Sequence, residues 1–461
     1  MMRLSELHQT LGGTLRTPRN IEPDHIVLGP IAVDSRQVEP GGTYWAVPGQ
    51  YHDGAEFAEE AFRRGAAGAV VHRPVDRPPH CWTLEVPDPT SALYQWAQYC
   101  RRHFLGTVIA VGGSTGKRTA RRLLHAVLRQ KFRGIAHPID ESRPLSLPLA
   151  ILHADPSLDY AIYEIHPRRL SEPLAPAALC QPAIVVVMRV AVAGQARLGG
   201  RQELADAAEE LLTALPPTGL AVLGDDPWLR QLAGRCRGPI VWVGERRGCQ
   251  LVASDVQWGP AAVSFRQEDC RYHVALWEPE HLAAALAAIG VGRAVGLTAS
   301  DIAVGLAGFE ALSPHWSLLQ VRGATVLHDN GPADLASRQA ALERFRELEA
   351  AGRRILVWGE QAGAEPLSAA GYRHFGQLAI RVGRPDLLVA WGPLASEVIA
   401  GACSAGLPAM HAVACRSAEE ALPRLCQALV PGDLVLVCGA KNLSMEKLAD
   451  ALHRFPRRRA A

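Results

Sequence analysis

A β-branched run, Thr107-Val108-Ile109-Ala110-Val111, leads without a break into Gly112-Gly113-Ser114-Thr115-Gly116-Lys117, and a helical pattern over residues 119–130 follows. A strand that ends in a glycine turn and opens a helix is tightly constrained. The turn aims backbone N–H groups at one point, the helix start adds the positive end of its dipole, and a lysine there meets the outer phosphates of a polyphosphate. Lys117 is one of only four lysines in the chain, with Lys131, Lys441 and Lys447, so its position is informative. The element predicts phosphate binding by Gly113, Ser114, Thr115, Gly116 and Lys117. A loop reduced to a structural turn is the alternative. After such a lysine a Ser or Thr hydroxyl ordinarily binds Mg²⁺, whereas this chain has Arg118. Thr119 can take that role only if the helix begins one residue later, because consecutive helical side chains point about 100° apart.

Strand and helix patterns alternate on both sides of this loop. Strands at 31–33, 44–47, 69–72 and 82–86 with a helix at 56–64 form a small α/β unit, and a connecting helix at 91–104 leads to the loop. Beyond it, strands at 160–165, 183–188, 220–223 and 240–243 and a helix at 201–215 predict a parallel sheet flanked by helices. Helices at 281–290 and 299–309 finish that block, and the pattern breaks at Pro314. A third block has strands at 325–328, 354–358, 387–390 and 434–438 and a helix at 335–351. With 461 residues, more than one core usually supports, the expected organisation is three α/β domains. They span 1–88, 106–313 and 314–461, with 89–105 as the connecting helix.

Composition narrows the function classes. The formal net charge is +2 with 20% charged residues, which offers no concentrated basic stripe for nucleic acid. Ten cysteines without a C-x-x-C pair fit a reducing cytoplasm. The first thirteen residues lack the basic-then-apolar pattern of a signal peptide, and the most apolar window, 174–194, is interrupted by Pro176, Pro182 and Arg189. A cytoplasmic protein without stable membrane insertion is the expectation.

The segment Val33-Asp34-Ser35-Arg36-Gln37-Val38-Glu39-Pro40-Gly41-Gly42, continuing through Ala46-Val47-Pro48-Gly49, Asp53-Gly54 and Arg64-Gly65-Ala66-Ala67, resembles the N-terminal domain of the Mur ligase family. The likeness runs over essentially the whole chain and is strongest to the branch that adds a dipeptide. It implies a small N-terminal α/β domain, a central P-loop-type ATPase domain with a parallel sheet, and a C-terminal Rossmann-like α/β domain. The implied reaction is ATP-dependent: the carboxylate of a UDP-muramoyl-peptide is phosphorylated and then joined to an amino acid or dipeptide. Asp34, Ser35 and Arg36 are then substrate-binding, since Arg offers a forked grip on phosphate and Ser and Asp suit sugar hydroxyls. A capped turn in which Asp34 pairs locally with Arg36 is the other reading of those residues.

The same resemblance assigns ATP and Mg²⁺ as cofactors. It gives Lys117, Glu164, Asp329 and Lys441 catalytic roles, with Asp329 and Lys441 contributed by the third domain. It makes Glu164 a metal ligand together with Thr119, and His281 an adenine contact beside the acidic turn Gly224-Asp225-Asp226-Pro227. This chain also departs from the family pattern. Arg118 replaces the hydroxyl residue, Gly194 stands where a metal-binding His is expected, and Ala208 falls near a lysine that is often carbamylated. Only the His survives in His281-Leu282-Ala283-Ala284-Ala285, against an expected H-N-x-x-N. The departures concentrate on metal and adenine contacts, and losing one such group typically costs a hundredfold or more in rate. Two readings therefore stand at this point: a ligase of cell-wall precursor synthesis, or a non-catalytic homologue that binds the precursor and contacts other cell-wall synthesis proteins.

Overall fold

The computed structural model describes residues 2–49, 51–114, 116–137, 145–167, 172–190, 201–245, 248–259, 262–276, 281–309, 316–329, 335–359 and 368–438. The chain divides into two compact units, Met1–Ala253 with Glu280–Gly308, and Ser254–Pro279 with Phe309–Ala461.

The first unit begins with helix α1 (Leu4–Leu11) and a five-stranded sheet of β1 (Thr14–Arg16), β2 (Ile31–Ala32), β3 (Thr43–Trp45), β4 (Gly68–Val71) and β5 (Trp82–Glu85) in the order β1-β5-β4-β3-β2. Only β1 runs antiparallel to its neighbour. Helix α2 (Ala58–Arg63) covers one face, with Ala58, Ala61 and Phe62 buried beside Tyr44 and Val71. Helix α3 (Pro89–His103), capped by the Asp88 carboxylate on the Thr90 N–H, packs Leu93 and Trp96 against Trp45, Trp82 and Leu84 on the other.

The second sheet is wholly parallel: β6 (Thr107–Gly112), β7 (Gly134–His137), β8 (Tyr160–Glu164), β9 (Ile184–Val187), β10 (Leu220–Gly224) and β11 (Ile240–Val243), in the order β11-β10-β9-β6-β8-β7. The chain moves from β6 to β7 and β8 on one side, then returns to β9 on the other. β6 is thus the strand at which the order reverses, and the crevice beyond its carboxyl end is where open α/β sheets receive ligands. Helices α4 (Lys117–Leu128), α5 (Ser146–Leu152), α6 (Pro176–Cys180), α7 (Arg201–Ala214) and α8 (Pro227–Leu232) accompany these strands, and α9 (Leu282–Ala294) and α10 (Ala299–Ala307) pack against α4. All of β6, β8 and β9 is buried or nearly so, as a parallel sheet covered on both faces requires.

The second unit contains an antiparallel meander, β12 (Ser254–Trp258), β13 (Val263–Gln267) and β14 (Cys270–Val274). Its six-stranded sheet consists of β15 (Trp316–Val321), β16 (Ala324–Asp329), β17 (Arg354–Gly359), β18 (Leu387–Trp391), β19 (Ala412–Cys415) and β20 (Leu434–Cys438), ordered β15-β16-β20-β17-β18-β19. Every pair but β15 with β16 is parallel. Helices α11 (Leu335–Glu347), α12 (Ala369–Leu378) and α13 (Ala395–Ser404) bury Leu342, Phe345, Phe375 and Val398 on one face. Helix α14 (Ala418–Ala428) buries Leu422 and Leu425 on the other. The α/β class and the parallel central sheet expected from the sequence are both present.

None of the ten cysteines forms a disulfide, and among the described residues no helix is long and apolar enough to cross a membrane.

Candidate active site

The glycine turn sits at the reversal point of the central sheet. β6 ends at Gly112, whose carbonyl accepts the Met188 N–H at 3.2 Å. Gly113 (φ 118°) then bends the chain so tightly that a Cβ would stand 2.9 Å from the Arg189 carbonyl oxygen. That approach and the positive φ together explain the glycine. Gly116 (φ 77°) caps α4, which opens on Lys117. The loop is closed on itself: Ser114 N–H and Oγ both donate to the Arg189 carbonyl, at 2.6 and 3.0 Å, and Lys117 Nζ donates to the Gly113 carbonyl at 2.8 Å. Thr115, placed in the loop by sequence, lies outside the described residues.

The helix begins two residues earlier than its sequence pattern suggests, and this bears on Thr119. With Lys117 as first helical residue, Arg118 directly follows the lysine and is exposed. The later start that would carry the Thr119 hydroxyl to the cation position is not the one adopted.

Glu164 ends β8 and lies opposite Val111 of β6, so the parallel register brings its carboxylate beside the loop. It is not left facing solvent. Arg121, one turn along α4 from Lys117, donates from Nε to Glu164 Oε1 at 2.5 Å and from Nη1 to the Ala136 carbonyl of β7 at 2.5 Å. The two side chains are only 9% and 8% exposed. Arg121 is a site residue that sequence reasoning missed. The available signal was its four-residue spacing from Lys117, which puts both on one helix face.

The test for Mg²⁺ follows from these donors. The Glu164 carboxylate is committed to a guanidinium, Arg118 has no oxygen to offer, and Ala208 on α7 is a buried methyl. Among the described residues no group of three or more His, Cys, Asp or Glu side chains is placed to hold a metal ion. The residues present do not fit a Mg²⁺ ion held on Glu164. Gly194 and Lys441 lie outside the described residues.

A second element of the site is a cavity of about 840 Å³ within the same unit. Its walls come from the first sheet and the following turn (Ile31, Ala32, Val33, Asp34, Gln37, Glu39), from Val47-Pro48-Gly49, from Thr90 and Tyr94 of α3, and from α5 with its C-cap (Ser146, Leu149, His153). Its lining is mostly apolar with a few polar groups, as small-molecule sites usually are. His153 Nε2 donates to the Ile31 carbonyl at 2.9 Å, tying α5 to β2. Its ring lies 6.4 Å from that of His137 in β7, directly after Ala136. The His137 pKa is pushed below the ordinary value by burial, with His153 and Arg121 adding to the effect. His137 therefore lies between His153 at the cavity wall and the residue whose carbonyl Arg121 holds.

Asp34 is the residue of the Asp-Ser-Arg turn that lines the cavity. It also caps a 3₁₀ turn by accepting the Arg36 N–H, and receives the Arg36 guanidinium in a fork. The local pairing read from sequence is therefore present. Arg36 stays 74% exposed, but Ser35 is buried with Oγ donating to Glu60 at 2.8 Å, a framework bond rather than a ligand-facing one.

His281 stands at the N-cap of α9, which packs on α4. Asp226 caps α8 through the Trp228 and Leu229 N–H groups, and Arg230 pairs with Asp225 at 3.0 Å while lying 3.8 Å over the Trp242 ring. In the other unit, Asp329 is buried at the end of β16, in register with Cys438 of β20.

A glycine loop and lysine at the reversal point of a parallel sheet, an acidic residue on the adjacent strand and a flanking α/β unit with a cavity define a phosphate-loop α/β protein. Comparison with known proteins makes this specific. Residues 111–292 match the Mur ligase middle domain. The UDP-N-acetylmuramoyl-tripeptide–D-alanyl-D-alanine ligase of Bacillus subtilis (strain 168) is 24% identical over 458 residues, covering 98% of each chain. A crystal structure of MurF from Acinetobacter baumannii superposes with a TM-score of 0.75 at 23% identity, covering 98% of this chain and 100% of that one. MurF from Thermotoga maritima in complex with ADP superposes with a TM-score of 0.66 at 21% identity, covering 92% and 97%. Residues 111–292 thus carry a Mur ligase middle domain, and over nearly its full length the chain is similar to ligases of that family and shares the fold of their solved structures.

Proposed function

We propose that the chain is a peptidoglycan-precursor ligase of the MurF type, joining a UDP-muramoyl-tripeptide carboxylate to the amine of D-alanyl-D-alanine at the expense of ATP in the cytoplasm. The observation that carries this reading is the coexistence, in one compact unit, of the cavity walled by Asp34 and the phosphate loop ending in Lys117. Full-length similarity to ligases of that name supports the substrate class. The boundaries that go with it are a precursor-binding segment 1–88, a linking helix 89–105, a nucleotide segment 106–313 and a closing segment 314–461.

In this reading a substrate carboxylate oxygen attacks the γ-phosphorus of ATP and ADP leaves. The incoming amine then attacks the acyl phosphate carbon; inorganic phosphate departs and the nitrogen loses a proton. Lys117 Nζ leaves the Gly113 carbonyl and neutralises the transferred phosphoryl group, while backbone N–H groups from Gly113 to Gly116 and the start of α4 hold the neighbouring phosphates. Asp34 and Arg36 hold the nucleotide-sugar end in the cavity. His281 is the adenine-side contact, and Asp329 and Lys441 serve from the closing segment.

The test is phosphate release by the full chain with ATP, Mg²⁺, UDP-N-acetylmuramoyl-tripeptide and D-alanyl-D-alanine, alongside Lys117→Ala. Release that requires both acceptor substrates and falls at least a hundredfold in the variant is expected. Precursor binding with no release under any combination would return the non-catalytic reading.

A further inference from the structure

The carboxylate at the end of β8 already has a cation, and that cation belongs to the chain. Arg121 reaches Glu164 from the helix face that also carries Lys117, and its second contact, to the Ala136 carbonyl, fixes the guanidinium between β7 and β8. Both partners are more than nine-tenths buried, so separating them would strand a charge away from water. A Mg²⁺ ion needs ligand oxygens at about 2.0–2.1 Å in near-octahedral array. At Glu164 Oε1 it would meet the guanidinium nitrogen 2.5 Å away and a like charge.

We infer that Arg121 is the resident cation of Glu164, so that the phosphate loop takes a nucleoside polyphosphate with no divalent ion held on that carboxylate. Charge counting is consistent with this. Arg118 stands where a neutral hydroxyl residue is ordinary, and Arg118 with Arg121 supplies the two positive charges of one divalent ion. Arg118 is exposed beside the helix start, where it can meet phosphate oxygens, while Arg121 leaves Glu164 neutralised. Any divalent ion used in turnover then arrives on the nucleotide. The inference concerns the cation on Glu164 and holds whether or not the chain ligates a precursor.

The test uses the full chain and two readouts that need no turnover. In the first, Mn²⁺ is titrated into nucleotide-free protein and the free ion is followed by electron paramagnetic resonance, in parallel with Glu164→Gln. Wild type and variant are expected to give the same weak, non-stoichiometric binding. In the second, ADP affinity is measured by calorimetry in EDTA and in Mg²⁺, with agreement within about threefold expected, less than the tenfold that 1.4 kcal/mol represents. Arg121→Gln, which uncovers the carboxylate, is expected to gain one Mn²⁺ site. Stoichiometric Mn²⁺ binding to the wild type that disappears in Glu164→Gln would overturn the inference, as would ADP binding tenfold or more weaker in EDTA in the wild type but not in Glu164→Gln. The wild-type arms decide the question even if Arg121→Gln does not fold. Absence of ADP binding in both buffers overturns the polyphosphate half and leaves the Mn²⁺ arm to judge the other.

Discussion

Arg36 grips Asp34 with both prongs of its guanidinium, Nε to Oδ1 at 3.0 Å and Nη2 to Oδ2 at 2.8 Å, while Asp34 itself forms part of the cavity wall. The pair is exposed on the Arg36 side, where ion pairs contribute little to stability. An arginine arranged this way can exchange a carboxylate for a phosphate without reorganising its backbone. Arg36→Ala is expected to leave the melting temperature unchanged and to weaken UDP-muramoyl-tripeptide binding about tenfold, read by calorimetry. Unchanged affinity would make the fork a turn clamp and nothing more.

The cavity can be tested by filling it. Ala32 lines it from β2, opposite α5. Ala32→Trp is expected to abolish precursor binding while ADP affinity stays within about threefold, because ADP would use the loop after β6. Loss of both together, with the fold intact by circular dichroism, would contradict the separation of the two subsites.

Acid should destabilise the first unit before carboxylates begin to titrate. Burial holds the pKa values of His137 and His125 below the usual histidine value, and Arg121 adds repulsion in both cases. The unfolded chain therefore binds more protons than the folded one below about pH 6.5. The resulting contribution is fully present above that pH and is lost as pH falls through the folded values. Thermal unfolding is expected to shift to lower temperature between about pH 7 and 5, with part of the slope removed in His137→Gln. A melting temperature that rises over that interval would contradict the assignment.

The second unit has its own weak point. Asp433, buried before β20, accepts the backbone N–H groups of Val430 and Arg353 at 2.9 and 3.0 Å and the Arg353 guanidinium at 2.8 Å. Its pKa is held below the ordinary value by these donors, acting against burial. Asp433→Ala strands buried N–H groups, and a loss of about 2–4 kcal/mol in denaturant unfolding is expected. A loss under about 0.5 kcal/mol, the range of ordinary surface substitutions, would mean that the hub is solvated.

Much of the fold was written in local pattern. The β-branched run into Gly112 and Gly113 marked β6 and its turn, and apolar runs marked β8, β9 and β10 because strands of a doubly covered sheet are apolar on both faces. The start of α4 was misread because a left-handed glycine caps it, so no Ser, Thr or Asp side chain announces the first turn. The meander from β12 to β14 is hard to read because its first strand is mostly exposed and the alternation of β13, with Val263, Phe265 and Gln267 buried, and of β14, with Tyr272 and Val274 buried, spans only five residues each.

The site was legible where contacts are local and illegible where they are not. Asp34 and Arg36 are two residues apart, and their pairing could be read from spacing. Ser35 reaches Glu60, 25 residues away, and Arg121 reaches Glu164, 43 residues away. Both contacts depend on tertiary packing, the second on the register of β6 with β8. Glu164 ends β8 opposite Val111, and its side chain meets the Arg121 guanidinium.

Ligation by this chain is read most directly from its product. The full chain is incubated with UDP-N-acetylmuramoyl-tripeptide, D-alanyl-D-alanine, ATP and Mg²⁺, and the mixture is resolved by mass spectrometry. A precursor heavier by the dipeptide less one water is expected, formed with one ADP and one phosphate per amide bond and absent with Lys117→Ala. A precursor that remains unchanged while ATP and dipeptide are in excess would contradict it.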